Sequence, residues 1–167
     1  LKLKNTTTLT DSQSQGSLIR MKAMDLLARR EHSFFELKSK LLKKDFKEEQ
    51  VVSELHQLID DNLLSDSRFT EVFIASRKEQ GKGPLRIESE LQVRGIDEAL
   101  ISSHLMNVDD NEWSKIAYDA LEKKLGKGKQ VDYDKKLKFM RFLSNRGFKD
   151  FQVIEALKHF ASSDNNE

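Results

Sequence analysis

Read for apolar and polar positions, the chain repeats itself three times. The three copies align on a short turn, Lys44-Asp45-Phe46, Arg94-Gly95-Ile96 and Arg146-Gly147-Phe148. Each has a basic residue, then one tolerant of positive φ, then a large apolar one. Asp or Gly in the middle fits a helix C-cap, where the backbone turns left-handed. Counted back from that middle residue, apolar side chains recur at ten (Phe35, Leu85, Leu137), eight (Leu37, Ile87, Phe139) and four (Leu41, Leu91, Leu143). Counted forward, they recur at six (Val51, Ile101, Val153), ten (Leu55, Leu105, Leu157) and thirteen (Leu58, Val108, Phe160). Glu48, Glu98 and Asp150 put negative charge just past each turn, where the dipole of a new helix favours it.

These spacings mostly follow the i, i+3/i+4 rule and predict one amphipathic helix on each side of every turn. A further helix precedes each pair, with Ala23, Leu26 and Leu27 matching Phe69, Val72 and Phe73, then Ala117, Ala120 and Leu121. Each unit is therefore three short helices of roughly 10–16 residues. The expected fold is all-α: three tandem three-helix repeats over residues 17–64, 65–108 and 109–161, stacked into an elongated, curved rod. Residues 1–16 and 162–167 are polar and expected to be flexible tails.

Local signals fit these boundaries. Ser33-Phe34-Phe35-Glu36 is a capping box, Pro84 follows Gly83 at a first helical position, and Asp97 is a good N-cap. Gly126-Lys127-Gly128-Lys129-Gln130-Val131-Asp132 predicts a longer flexible loop. Asp66 is placed to cap the helix that carries Arg68, and the pair is expected to be structural, fixing the angle between the first two units.

Composition agrees with helix. The 167 residues include one proline, seven glycines and no cysteine, with 37% hydrophobic and 34% charged residues. Without cysteine there are no disulfides or thiolate metal sites, which suits a reducing cytoplasm. No run approaches the ~18 apolar residues of a membrane span, and the N-terminal segment lacks the apolar core of a secretory signal. A soluble cytoplasmic protein is the expectation.

The net charge of +1 hides strong patterning. Residues 18–47 carry nine basic and four acidic side chains, and residues 48–71 carry seven acidic and one basic. Residues 88–122 hold nine acidic and two basic, and residues 123–149 hold ten basic and two acidic. Basic blocks thus flank an acidic middle, so local attraction for a polyanion coexists with near neutrality.

Catalytic and cofactor chemistry finds little footing. Gly81-Lys82-Gly83 and Gly126-Lys127-Gly128-Lys129 lack the Walker spacing and follow no strand, so they are read as interhelical loops. His32, His56, His104 and His159 are scattered without metal-ligand spacing. Asp60-Asp61 and Asp109-Asp110 fall at unit junctions, where capping or solvation explains them. Phe34, Phe35, Phe69, Phe73, Phe139, Phe142 and Trp113 have the helical spacing of core residues rather than base-stacking platforms. Phe34 is singled out as the exception, because its matches are Pro84 and Lys136. No enzyme activity and no cofactor are expected.

With the repeats aligned, the chain resembles the RecX family of regulatory proteins from about Ala23 to Phe160. Arg30-Glu31-His32-Ser33-Phe34-Phe35-Glu36-Leu37 with Lys40-Leu41 is similar to the family's opening motif. Leu63-Leu64-Ser65-Asp66-Ser67-Arg68-Phe69 resembles its junction between units one and two. Gly81-Lys82-Gly83-Pro84-Leu85-Arg86-Ile87-Glu88-Ser89-Glu90-Leu91, with Arg94-Gly95-Ile96, resembles its second-unit segment. The third unit matches more loosely, through Phe142-Leu143 and Arg146-Gly147-Phe148. Ser33, Glu36, Leu37, Asp66, Arg68, Phe69, Gly83 and Gly95 are the structural residues of these motifs.

The resemblance implies a monomeric regulator that binds the RecA recombinase filament on single-stranded DNA and restrains recombination and the SOS response. Contact with single-stranded or duplex DNA is a further expectation. The alternative is a helical-repeat protein that binds DNA directly. Lys43, Lys44, Arg94, Arg141 and Arg146 are the expected partner contacts, since three of them sit at the equivalent turn, expected to be exposed.

Overall fold

The computed structural model describes residues 5–126 and 133–162, and their regular structure is helical throughout. In chain order the helices are α1 (Asn5–Leu27), α2 (Phe34–Leu42), α3 (Glu48–Asp60), α4 (Asp66–Glu79) and α5 (Pro84–Gln92). They continue as α6 (Glu98–Met106), α7 (Asp110–Leu125), α8 (Tyr133–Asn145) and α9 (Asp150–Ser162). Taken in threes, they follow the sequence repeat. The three anchoring turns have the backbone their middle residues suggest: φ is 60° at Asp45, 74° at Gly95 and 88° at Gly147.

Two compact units are present, residues 1–70 with 94–96, and residues 71–93 with 97–167. In the first, α1 packs on α2 and α3, and α2 packs on α3. Ile19, Ala23, Leu37, Leu41, Val51, Leu55, Leu58 and Leu64 form its core, flanked by Leu26, Leu27, Phe34, Leu42 and Phe46. In the second, α7 packs closely on α9, α8 leans on both, and α5 packs on α6. Ile87, Leu91, Ile101, Trp113, Leu121, Leu143, Phe148 and Val153 are buried there.

The capping residues act where the sequence puts them. Ser33 Oγ accepts from the Glu36 N–H at 3.1 Å, Asp97 accepts from the Ala99 and Leu100 N–H groups, and Asp109 from that of Asn111. Pro84 opens α5.

Four expectations need correction. The position ten before the turn is apolar in every copy yet faces outward in all three: Phe35 is 51%, Leu85 49% and Leu137 64% exposed. It stands two residues from the buried Leu37, Ile87 and Phe139, and an i, i+2 pair cannot share a helix face. Val72 is likewise exposed, unlike its matches Leu26 and Ala120. Helix α1 begins at Asn5 rather than near residue 17. Ser, Thr and Gln cost helix only tenths of a kcal/mol each, and elongation from the packed turns around Ile19 and Ala23 is favourable once nucleated. Finally, the capping box is half formed, because the Glu36 carboxylate pairs with Arg30 and Arg94. The predicted loop from residue 127 to 132, and residues 163–167, lie outside the described residues.

Candidate functional site

The anchoring turns do more than join helices. In the first unit the Arg94–Ile96 turn seats on the start of α2: Ser33 Oγ donates to the Arg94 carbonyl at 2.8 Å, and Arg94 Nε pairs with Glu36 at 3.4 Å. Gly95 meets Phe35 so closely that a Cβ on it would lie 2.6 Å from Phe35 Cβ. The second unit repeats the arrangement at the start of α5. There the Gly83 N–H donates to the Arg146 carbonyl at 2.8 Å and the Leu85 N–H to the Gly147 carbonyl at 3.0 Å. The Ser33 hydroxyl and the Gly83 amide do the same work at matched positions. This contact explains the outward apolar position: Phe35 is the floor on which the Gly95 turn rests. Residue 135, the match of Ser33 and Gly83, lies inside α8, so the third copy has no free helix start of this kind.

The five candidate basic residues therefore divide. Lys43, Lys44 and Arg141 are exposed. Arg94 is held by Glu36. Arg146 donates to the carbonyls of Gln80 and Gly81 at 3.0 and 3.1 Å, and its guanidinium lies 4.7 Å from the centre of the Phe142 ring. The matched turn is thus an exposed basic corner only at Lys44; at Arg94 and Arg146 it is a clasp.

The motif residues around α2 and α4 form one polar network. Asp66 does not cap its own helix, as the sequence suggested. Ser65 Oγ takes that place, accepting from the Arg68 N–H at 3.2 Å. The Asp66 carboxylate instead accepts from the Phe34 N–H at 2.7 Å, satisfying the first amide of α2. Burial pushes that carboxyl above its usual range, with the Phe34 N–H pulling the other way. Arg68 pairs with Glu31 at 3.1 Å and donates to the side chain and carbonyl of Asn62 at 2.8 and 3.0 Å. Asn62 has φ 58°, so Arg68 braces a left-handed turn. Leu37 and Phe69 are buried beside this network.

Sequence reasoning missed the role of His32. It is buried, with Nδ1 3.0 Å from the Arg30 carbonyl and Nε2 2.8 Å from the Lys40 ammonium. An ammonium can only donate, so Nε2 must be the acceptor and the ring neutral. Burial first, then the cations of Arg30 and Lys40, hold its pKa below the ordinary value, against the Arg30 carbonyl and Glu36. The signal was present: His32 and Lys40 are eight residues apart on the two sides of a helix start.

Among the aromatics, Phe69, Phe139 and Trp113 are core residues. The exception is Phe35, not Phe34, whose ring packs on the core and stacks against His56. Around Phe139 and Phe142, the cations Lys124, Lys138 and Arg141 line a shallow cleft of about 540 Å³. Among the described residues no group of three His, Cys, Asp or Glu side chains is placed to hold a metal ion. No described helix is long and apolar enough to cross a membrane.

Comparison with known proteins returns a consistent set. Residues 20–58 match the family model for the RecX first three-helix domain, and residues 65–105 that for the RecX second three-helix domain. The regulatory protein RecX of Halorhodospira halophila is 35% identical over 148 residues, 89% of this chain and 91% of the relative. That of Legionella pneumophila is 40% identical over 141 residues, 84% of this chain and 93% of the relative. The crystal structure of RecX from Lactobacillus salivarius superposes with a TM-score of 0.79 at 21% identity, covering 90% of this chain and 99% of that one.

Proposed function

Because the chain belongs to the RecX family of regulatory proteins, we propose that it binds the RecA recombinase filament on single-stranded DNA and restrains recombination and SOS induction. It acts on this reading as a cytoplasmic monomer, by contact rather than catalysis and without a cofactor, through three repeats at residues 17–64, 65–108 and 109–161. The observation that carries the reading is the division of the basic residues. Lys43, Lys44 and Arg141 are left in solvent by a fold that ties up Arg94 and Arg146. Exposed cations near both ends of a chain whose middle is acidic suit a partner carrying both DNA phosphates and basic protein surface.

The test is co-sedimentation with recombinase filaments on single-stranded DNA across a salt series, with free DNA and free recombinase as controls. Filament binding should exceed binding to either control and weaken steeply with salt. Reversing charge at Lys43, Lys44 and Arg141 should weaken filament binding and relieve inhibition of strand exchange. Unchanged binding and inhibition in that variant would overturn the assignment. The cationic cleft beside Phe139 and Phe142 favours a second reading, direct binding to DNA. It predicts equal binding to naked DNA and to filament in the same series.

A further inference from the structure

The second repeat has a cleft where the first has a plug. In the first, the rings of Phe34 on the second helix and His56 on the third stack with centroids 5.5 Å apart, and Phe34 packs on the core. Fifty residues on, the matched positions are Pro84 and Met106, and the groove is open. It encloses about 340 Å³, with Pro84, Leu85, Met106 and Trp113 among its apolar lining and Glu88 and Asp110 at its edges. Leu85 is 49% and Met106 83% exposed. Scattered apolar side chains on a surface need no explanation, but two large ones lining a single concavity do. Met is also the side chain best able to reshape itself around an incoming group.

The charge around the cleft says what kind of group that is. Of the nine acidic side chains in residues 88–122, Glu88 and Asp110 line the cleft, while Glu90 pairs with Arg77 and Arg86 and Glu112 with Lys78. Among the described residues that line the cleft, Lys149 is the one cation against two carboxylates, Glu88 and Asp110, of which Asp110 also accepts from the Gln152 side chain at 3.4 Å. We propose that this cleft is a docking site for a basic amphipathic segment of another protein. One aromatic or branched apolar side chain seats between Leu85 and Met106, as Phe34 seats in the first repeat. A neighbouring Lys or Arg meets Glu88 or Asp110. The site goes beyond the filament function and stands whether or not that reading holds.

The probe is a phage-displayed library of random twelve-residue peptides, selected on the whole chain. Selected peptides are then labelled and titrated by fluorescence polarisation. Enriched sequences should place a bulky apolar residue beside Lys or Arg. They should lose affinity by about tenfold or more against Met106→Glu, and against Pro84→Phe with Met106→His, which rebuilds the plug of the first repeat. Circular dichroism checks that each variant folds, and Leu85→Lys replaces any that does not. Three results would each overturn the proposal: no such motif, enrichment of acidic peptides, or unchanged affinity for the folded variants. A concentration-dependent dimer abolished by Met106→Glu would also overturn it, by assigning the cleft to a second copy of this chain.

Discussion

The middle residue of the anchoring turn is Asp45, Gly95 or Gly147, and substitutions at that place should differ sharply in cost between copies. At Gly147 an alanine meets two costs. The backbone is left-handed at φ 88°, which costs an L-residue about 1–2 kcal/mol. Its Cβ would lie 2.3 Å from Arg86 N and 2.4 Å from Arg86 Cβ, an overlap with main chain that only a backbone shift relieves. Overpacking of that kind costs about 1–3 kcal/mol, so Gly147→Ala should lose about 2–5 kcal/mol. Gly83→Ala faces the same interface from the other side, with its Cβ 2.4 Å from the Gly147 carbonyl carbon and oxygen. Its φ of −86° is ordinary, so only the steric cost of about 1–3 kcal/mol applies. Asp45→Gly removes a left-handed strain in an exposed turn but adds about 0.5–1 kcal/mol of unfolded-chain entropy, and should be near neutral.

Urea unfolding followed by far-UV circular dichroism reads the order. With a slope of about 2 kcal/mol per molar, Gly147→Ala should move the midpoint down by about 1–2.5 M and Gly83→Ala by less. Asp45→Gly should stay within experimental error of the parent. A Gly147→Ala protein that unfolds where the parent does would refute the claim that this turn is clasped to the start of α5.

Four further variants test the polar contacts and the exposed Lys44. His32 has a folded pKa below its ordinary value of 6.5, so the unfolded chain takes up its proton first. Its contribution to stability should be complete above that value and fall as pH drops toward the lowered one. His32→Gln should remove that part of the pH slope, and an identical slope in parent and variant would refute the neutral-ring assignment. Asp66→Ala leaves the first amide of α2 without its partner and should cost about 0.5–2 kcal/mol, the range for a lost cap. Loss of function with an unchanged melting curve would count against that structural role. Arg146→Ala should lower stability by about 1–2 kcal/mol, through two charged-donor hydrogen bonds in a half-buried setting. Lys44→Ala should leave the melting curve alone and change filament binding only; a reversed pattern would overturn the division of the basic residues.

Much of the fold was legible because the repeat is written in buried positions. Leu37, Leu41, Leu55 and Leu58 of the first copy, and Ile87, Leu91 and Ile101 of the second, are all inside. Aligning three copies separates such positions from chance, since each must satisfy the same helical spacing three times. The alignment misled where apolarity recurs for another reason. Phe35 is apolar and outward because a turn from the following copy seats on it, a contact sixty residues away in sequence. The i, i+2 distance of Phe35, Leu85 and Leu137 from the core positions was the available warning. The Asp66 cap was misassigned for a related cause. Local rules find the nearest helix start, whereas the carboxylate reaches an amide 32 residues back.

The candidate contacts were the least legible part, and the repeat explains why. Lys44, Arg94 and Arg146 occupy one alignment column and look equivalent. Their fates depend on whether an earlier copy offers a helix start to grip. Arg94 finds Glu36 beside the start of α2, and Arg146 finds the Gln80 and Gly81 carbonyls just ahead of α5. Lys44 is exposed at its turn. That is why charge reversal at Lys43 and Lys44 must be scored on binding, with Arg94 and Arg146 variants as the structural comparison. If the two groups behaved alike in both binding and melting, the contacts that hold Arg94 and Arg146 would not be what sets them apart.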